Sequence, residues 1–174
     1  MKRPLWKLDA DKVLRHAQQL ESVGQAYYRR AAEARAADPA LKDVLAQLAD
    51  EEGEHEKTFR GMRDRLAEAE EVEAGPPPGE DALAAMLDRA SQADPLAALE
   101  EMAALDSAEK LLVKAMEMED ESVAFYTKMK GFLADPADAQ AVDAIIAEEC
   151  RHREVLRDRL DGLAGEPGGR DKPT

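Results

Sequence analysis

Apolar and small residues recur every three or four positions along four long stretches of this chain. That period places them on one face of an α-helix. The pattern predicts helices over about residues 10–37, 39–71, 107–133 and 136–163. Near the middle of each predicted helix, an acidic residue interrupts the apolar face. In the second helix, the face reads Leu41, Leu45, Leu48, Glu52, His55, Phe59, Met62 and Leu66.

The second and fourth helices carry the same pair of polar residues on these faces. Glu52 precedes His55 by three residues. Glu149 and His152 repeat this pair 97 positions later. Residues three apart share one face of a helix. Each helix therefore presents a carboxylate beside an imidazole, which is a donor pair suited to a metal ion.

The first and third helices carry a second repeated pair. Glu21 precedes Tyr28 by seven residues, and Glu119 stands in the same relation to Tyr126. Seven residues are about two turns, so each glutamate shares a face with its tyrosine. We expect Tyr28 and Tyr126 to donate hydrogen bonds to the carboxylates of a metal site, as partners that hold ligands in place. The alternative is that they are ordinary core aromatics.

Helix starts repeat as well. Asp38-Pro39 and Asp135-Pro136 each combine a capping carboxylate with a residue that suits the first helical position. Both lie 14 residues before the glutamate of their helix, so the two Glu-x-x-His pairs have the same depth. Asp9 is predicted to cap the first helix, and the capping box that Asp106 opens is predicted to start the third.

The repeat predicts one domain over residues 9–163. Its halves, residues 9–71 and 107–163, are two helix hairpins. Residues 72–106 form a crossover with one or two short helices, since hairpins packed in parallel register need a long connection. The tail at 164–174 has little apolar content and is predicted to be disordered.

The composition is typical of a helical protein. It also argues against nucleic acid as a partner and against sites built from several cysteines. Only 4% of the 174 residues are aromatic and 36% are charged, which is typical of helices rather than sheets. The net charge of −14 argues against nucleic acid, because phosphates would be repelled. One cysteine permits no disulfide within the chain and no four-thiolate iron site. With no signal-peptide pattern and no apolar run long enough for a membrane, a cytoplasmic protein is predicted.

Acidic residues on the inward faces of all four helices need partners that balance their negative charge. A buried carboxylate without a partner costs several kcal/mol, and four that converge raise one another's pKa values. A pair of bound cations removes this conflict. The alternative is that the acids point to solvent, which would require all four apolar faces to be out of phase.

These motifs, in this order, resemble the rubrerythrin branch of the ferritin-like superfamily over roughly residues 9–163. The resemblance implies an all-α, ferritin-like four-helix bundle made of two repeated hairpins. It also implies two iron ions, with manganese and zinc as alternatives. By this resemblance, Glu52 and Glu149 bridge the ions, and His55 and His152 are terminal ligands. The implied set of metal ligands is Glu21, Glu52, His55, Glu119, Glu149 and His152.

The resemblance further implies an oxidoreductase whose diferrous pair reduces hydrogen peroxide or dioxygen. Full-length rubrerythrins carry a four-cysteine rubredoxin module that is absent here, so another protein is expected to supply electrons. Gly24 and Ser122 are small enough to leave one side of the site open to the oxidant. Many rubrerythrins also have an additional glutamate at the position of Ser122, and without it the ligand set is symmetric, as in bacterioferritin.

Two other functions therefore stay open. One is that of a ferroxidase, an iron-handling protein that oxidises ferrous ions. The other is a non-enzymatic helical interaction module with a structural metal. Long alanine-rich helices also predict a homo-oligomer, with a dimer favoured.

Several other polar residues are predicted to lie outside the site. His16 is about 140° from Glu21 around the first helix, which predicts a surface histidine. Cys150 is predicted to be a packed or half-exposed thiol. Glutamates off the inward faces, among them Glu51 and Glu148, are predicted to lie on solvated surfaces.

Overall fold

The computed structural model describes residues 5–68 and 107–165, with side chains over 10–68 and 107–163. The described parts of the chain contain no strand, and a 3₁₀ turn, Lys130–Phe132, follows the third helix. The predicted all-α bundle with four long helices is confirmed. These helices are α1 (Leu5–Ala34), α2 (Pro39–Glu68), α3 (Ala108–Met129) and α4 (Pro136–Gly165).

The two Asp-Pro starts are confirmed by capping hydrogen bonds. Asp38 Oδ1 accepts a bond of 3.1 Å from the backbone N–H of Leu41. Asp135 Oδ1 accepts a bond of 2.8 Å from the N–H of Ala137. Each carboxylate thereby satisfies an N–H that has no partner within the first turn. The matching caps begin α2 and α4 at equivalent points of the repeat.

Two other predicted helix starts differ from the structure. The helix α1 already includes Leu5, and no glycine or proline separates Leu5 from Asp9, so Asp9 lies within the helix. Ser107 caps α3, one residue after the position at which the predicted capping box opens. Its side chain accepts a hydrogen bond of 3.2 Å from the N–H of Lys110.

The helix ends also differ from the prediction. The helix α1 ends at Ala34 rather than at 37, because the N–H groups of Ala36 and Asp38 bond carbonyls three residues back, as in a tight turn, instead of four. The helix α4 continues through Gly165, two residues into the predicted tail. The predicted crossover at 72–106 and the rest of the tail, 166–174, lie outside the described residues.

Helices α1 and α2 pack along each other, and α3 packs along α4. Residues 35–38 form a short turn, so α1 and α2 make an antiparallel hairpin. Residues 130–135 connect the second hairpin in the same way. Among the helices that the structure describes, none has the length and apolar character needed to cross a membrane.

The buried core consists of two apolar clusters with a polar layer between them. One cluster includes Leu14, Phe59 and Met129, and the other includes Leu45 and Leu112. Along every helix, the buried acidic and histidine residues fall between the residues of the first cluster and those of the second. The two clusters therefore shield the polar layer from water on both sides.

Candidate metal centre

Six ionisable side chains form the polar layer between the apolar clusters. None exposes more than 4% of its surface. Glutamate is almost never buried to this extent unless it is paired or bound to a metal. All six are residues that the sequence predicts as ligands, and the structure brings them together from all four helices. They are Glu21, Glu52, His55, Glu119, Glu149 and His152.

Four of these side chains converge on one point. Each of Glu21, Glu52, His55 and Glu149 offers a ligand atom, and these atoms lie within 4.8 Å of one another. His55 Nδ1 is 3.1 Å from Glu149 Oε1 and 3.6 Å from Glu21 Oε2. Three carboxylates and one imidazole at this spacing can surround a single cation.

A second group of four converges beside the first. Glu52, Glu119, Glu149 and His152 also offer ligand atoms within 4.8 Å of one another. His152 Nδ1 is 3.2 Å from Glu149 Oε2 and 3.6 Å from Glu119 Oε1. The two groups have the same composition, as the repeat in the sequence predicts.

Glu52 and Glu149 belong to both groups. Glu149 turns Oε1 towards His55 and Oε2 towards His152. Glu52 is arranged in the same way. Its Oε2 lies 4.0 Å from His55 Nδ1, and its Oε1 lies 3.5 Å from His152 Nδ1. Each can therefore give one oxygen to each of two cations, which is the arrangement of a bridging carboxylate.

Buried atoms without hydrogen-bond partners show that the centre fits metal ions. In the described part of the chain, the unpartnered buried side-chain atoms include Nδ1 of His55, Nδ1 of His152 and both carboxylate oxygens of Glu149. Such atoms are destabilising unless something binds them. Four carboxylates and two neutral imidazoles also balance the charge of two divalent ions. The donor set therefore fits a pair of such ions.

The outer nitrogens of the two imidazoles reveal a feature that the sequence prediction missed. His55 Nε2 lies 2.7 Å from Glu148 Oε2, and His152 Nε2 lies 2.8 Å from Glu51 Oε2. The prediction that Glu51 and Glu148 are merely solvated is wrong. A carboxylate on the outer nitrogen fixes ring orientation and raises the basicity of the nitrogen that faces the metal. The signal was present, because each acid precedes a repeated glutamate and the two lie 97 residues apart.

The two tyrosines support the centre across the hairpins. Tyr28 of α1 donates a hydrogen bond to Glu119 Oε1 of α3. In return, Tyr126 of α3 donates a bond of 2.6 Å to Glu21 Oε1 of α1. Burial, followed by the charge of Glu119, raises the pKa of Tyr28 well above its ordinary value, so this hydroxyl keeps its proton. Both hydroxyls thus hold carboxylates that belong to the other half of the repeat.

Protons partly balance the carboxylates when no metal is bound. Burial lowers the pKa of His55, but the nearby carboxylates of Glu149 and Glu21 outweigh this effect and raise it to about 11. The same competition raises the pKa of His152 to about 12. Burial also raises the pKa of Glu52 and of Glu119 well above the ordinary value. The metal-free centre therefore holds extra protons at neutral pH.

Metal binding should release these protons. At pH 7, both imidazoles carry a proton on Nδ1 that a cation must displace. We expect about two protons to be released per pair of ions, one from each imidazole, and the overall binding constant to rise about 100-fold per pH unit. Calorimetric titration in buffers of different ionisation enthalpy measures the number. Binding that is independent of pH would contradict the expectation.

Gly24 leaves room for one of the shared carboxylates. A Cβ atom at this position would lie 3.3 Å from Cδ and from Oε2 of Glu52. We expect Gly24→Ala to displace the Glu52 carboxylate by a few tenths of an ångström and to weaken metal binding about tenfold. Titration of the metal-free variant with Mn(II) or Co(II) measures the effect.

Gly162 provides a matched control for this substitution. A Cβ atom there would meet nothing within 4 Å. Gly162→Ala should therefore keep the metal affinity of the native chain and raise its stability by about 0.5–1 kcal/mol, the gain in helix propensity. Equal metal affinities for Gly24→Ala and Gly162→Ala would show that the space beside Glu52 is not needed.

Two other residues, His16 and Cys150, lie outside the centre. His16 is half-buried rather than at the surface, because its ring packs edge-on against Phe125 of α3 with centroids 4.8 Å apart. The prediction of a surface histidine is wrong for that reason. Cys150 is exposed.

Comparisons with known proteins agree with this architecture. A family model described as "Ferritin-like domain" matches residues 9–161. A crystal structure from Thermotoga maritima, described as that of a ferritin-like diiron-carboxylate protein, aligns with a TM-score of 0.62 and 23% identity. The alignment covers 87% of this chain and 94% of that one. An uncharacterised protein of Archaeoglobus fulgidus is 43% identical over 54 residues, which are 31% of this chain and 84% of that protein.

The family match spans most of the chain, and the likeness to the Thermotoga structure independently gives the same fold. The buried carboxylates and imidazoles lie where that fold gathers its four helices. The chain belongs to the ferritin-like family and has the fold of its diiron-carboxylate proteins.

Proposed function

We propose that this protein is a di-iron oxidoreductase of the rubrerythrin type, which reduces hydrogen peroxide or dioxygen with electrons from an external donor protein. The observation that carries the proposal is the pair of equivalent, buried donor groups that share Glu52 and Glu149. Carboxylate and imidazole suit iron, and the four negative charges match two ferrous ions.

Iron would supply the redox chemistry of this reaction. When two ferrous ions are bound, they provide the two electrons that, with two protons, convert one hydrogen peroxide molecule into two of water. His55 Nδ1 and His152 Nδ1 would each hold one ion. Glu52 and Glu149 would hold both, and Glu21 and Glu119 would complete the two positions.

The chain's other residues would keep this centre rigid and dry. Tyr28 and Tyr126 orient the two unshared glutamates. Glu51 and Glu148 hold the imidazole rings so that Nδ1 faces inward. The apolar clusters above and below exclude bulk water, which limits unproductive loss of ions and protons.

A second candidate function is ferrous oxidation by an iron-handling protein, in which iron is substrate. The symmetric donor set favours it. Ser122 is half-buried one turn beyond Glu119, where a glutamate would add a seventh ligand to one half only. The two functions differ in the fate of the ions, because an oxidoreductase retains them through many turnovers.

Stopped-flow oxidation separates these functions. The full chain, loaded anaerobically with two Fe(II), is mixed with hydrogen peroxide or with dioxygen, and a chemical reductant is then added with a redox mediator. Glu154→Gln, an exposed change on α4, serves as the control variant.

The proposed oxidoreductase should consume many equivalents of oxidant while its iron remains bound. A single oxidation followed by release or polymerisation of the ferric product would support the iron-handling function instead. A chain that binds no iron under these conditions would contradict both and would leave the interaction module with a structural metal.

A further inference from the structure

The two halves of the centre share their donors but differ on the outer side of the imidazoles. His152 is fully buried, and its Nε2 contacts Glu51, whose side chain is 26% exposed. Arg151 Nη2 in turn lies 3.1 Å from the same oxygen, Glu51 Oε2. A guanidinium thus covers and neutralises the acid that supports His152.

The other half has no equivalent cover in the described residues. His55 Nε2 contacts Glu148, whose side chain is 50% exposed. Among the described residues, the polar partner of the Glu148 carboxylate is His55. The residue 97 positions before Arg151 is Glu54, so the repeat places an acid where the second half has a base. Glu54 itself is 72% exposed and pairs with Lys57 at 2.6 Å.

We propose that this difference makes the two metal positions inequivalent: cations arrive and leave past Glu148, and Arg151 retains the ion bound to His152. This inference rests on the metal binding in the proposed function. It assigns Arg151 as a positioning residue, which acts through Glu51 and the imidazole rather than on the ion itself.

The physical reason lies in charge and mobility. An ion is released more readily when its imidazole turns away, and a ring whose outer nitrogen is held by a fixed acid turns slowly. The bond from Arg151 fixes Glu51 through a charge-assisted contact. Its positive charge also repels a cation that approaches on this side. Glu148 is exposed and free of such a contact in the described structure, so it can swing outward and attract a hydrated cation.

Release of cobalt from the loaded full chain tests this inference. The protein is loaded with two Co(II), and a chromogenic chelator then records the release of each ion. Of the three histidines, His16 lies outside the centre, so the paramagnetically shifted ¹H signals of the ring Nε2–H groups of His55 and His152 report which position still holds Co(II). Neither readout depends on redox activity.

We expect two phases, with the ion at His55 leaving first. Arg151→Gln should speed the slow phase about threefold to tenfold, less than the loss from removing an acid that contacts the imidazole directly. Arg153→Gln is the matched control, since Arg153 pairs with Asp120 rather than with a residue of the centre. It should leave both phases unchanged. Glu54→Arg should slow the fast phase, because the repeat predicts that a base at this position faces Glu148 as Arg151 faces Glu51.

Other results would overturn the inference. The inference is overturned if both ions leave in one phase or if the ion at His152 leaves first. It is also overturned if the slow phase has the same rate in Arg151→Gln and Arg153→Gln. If Arg151→Gln does not fold, Glu54→Arg decides, and an unaltered fast phase would count against the inference. A chain that takes up no cobalt would contradict the metal binding on which the proposed function depends. Release of two bound ions in one phase is a different result and would contradict only the present inference.

Discussion

Glu149→Gln should abolish binding of the second ion and weaken binding of the first by more than about 100-fold. Loss of an acid that only supports a ligand costs about 10–100-fold in metal affinity, and Glu149 contacts both metal positions directly. Gln keeps the size of the side chain but can offer only one neutral oxygen. Titration with Co(II) or Mn(II), read as stoichiometry and dissociation constant, measures the change.

The same substitution should also weaken the metal-free fold. Burial raises the pKa of Glu149, but the close imidazolium groups of His152 and His55 outweigh it and hold this pKa below its ordinary value, so the negative charge of Glu149 stabilises the fold at neutral pH. Its removal leaves two buried imidazolium groups without their common partner, at a cost of about 3–5 kcal/mol. Glu154→Gln, an exposed position on the same helix, is the control and should change neither property. Two tightly bound ions in Glu149→Gln would contradict the shared role of this carboxylate.

Removal of the metal should lower the melting temperature by about 15–30 °C. A ligand present at about 1,000 times its dissociation constant stabilises the folded state by about 4 kcal/mol per site, and the centre has two. In a domain of this size, 1 kcal/mol corresponds to about 2–4 °C. Thermal unfolding with excess Mn(II), and again with excess chelator, measures the shift.

The direction of this shift follows from the balance of charge in the centre. Without cations, the protons on the two imidazoles add only two positive charges to a centre with four buried acids. Glu149→Gln should show little of the shift, because it cannot hold the pair. Equal melting temperatures with metal and with chelator would show that the buried acids are stable without cations.

Much of the fold and the donor set could be predicted because both depend on spacing within single helices. A three-residue interval fixes His55 beside Glu52 whatever the neighbouring helices do. The 97-residue repeat then predicts a second, equivalent pair. The Asp-Pro caps belong to the same class of local signal, since the capping bond closes within one turn.

The features that were missed depend on contacts between helices. Glu51 and Glu148 support the imidazoles only because α2 and α4 bring each acid to a ring on the opposite helix. Periodicity within one helix cannot give that pairing. The angle of His16 from the inward face of α1 predicts a surface position, but the ring of Phe125 of α3 packs against it. The partner of a side chain is thus harder to predict than the face on which it lies.

The reciprocal contacts between the hairpins make assembly of the centre all or none. The first hairpin provides Glu21, Glu52 and His55, but the acid that holds His55 and the hydroxyl that holds Glu21 come from the second. Neither half is therefore a working unit by itself. The two hairpins thus behave as two covalently linked halves. Metal bound at the centre indicates that the two halves have packed together.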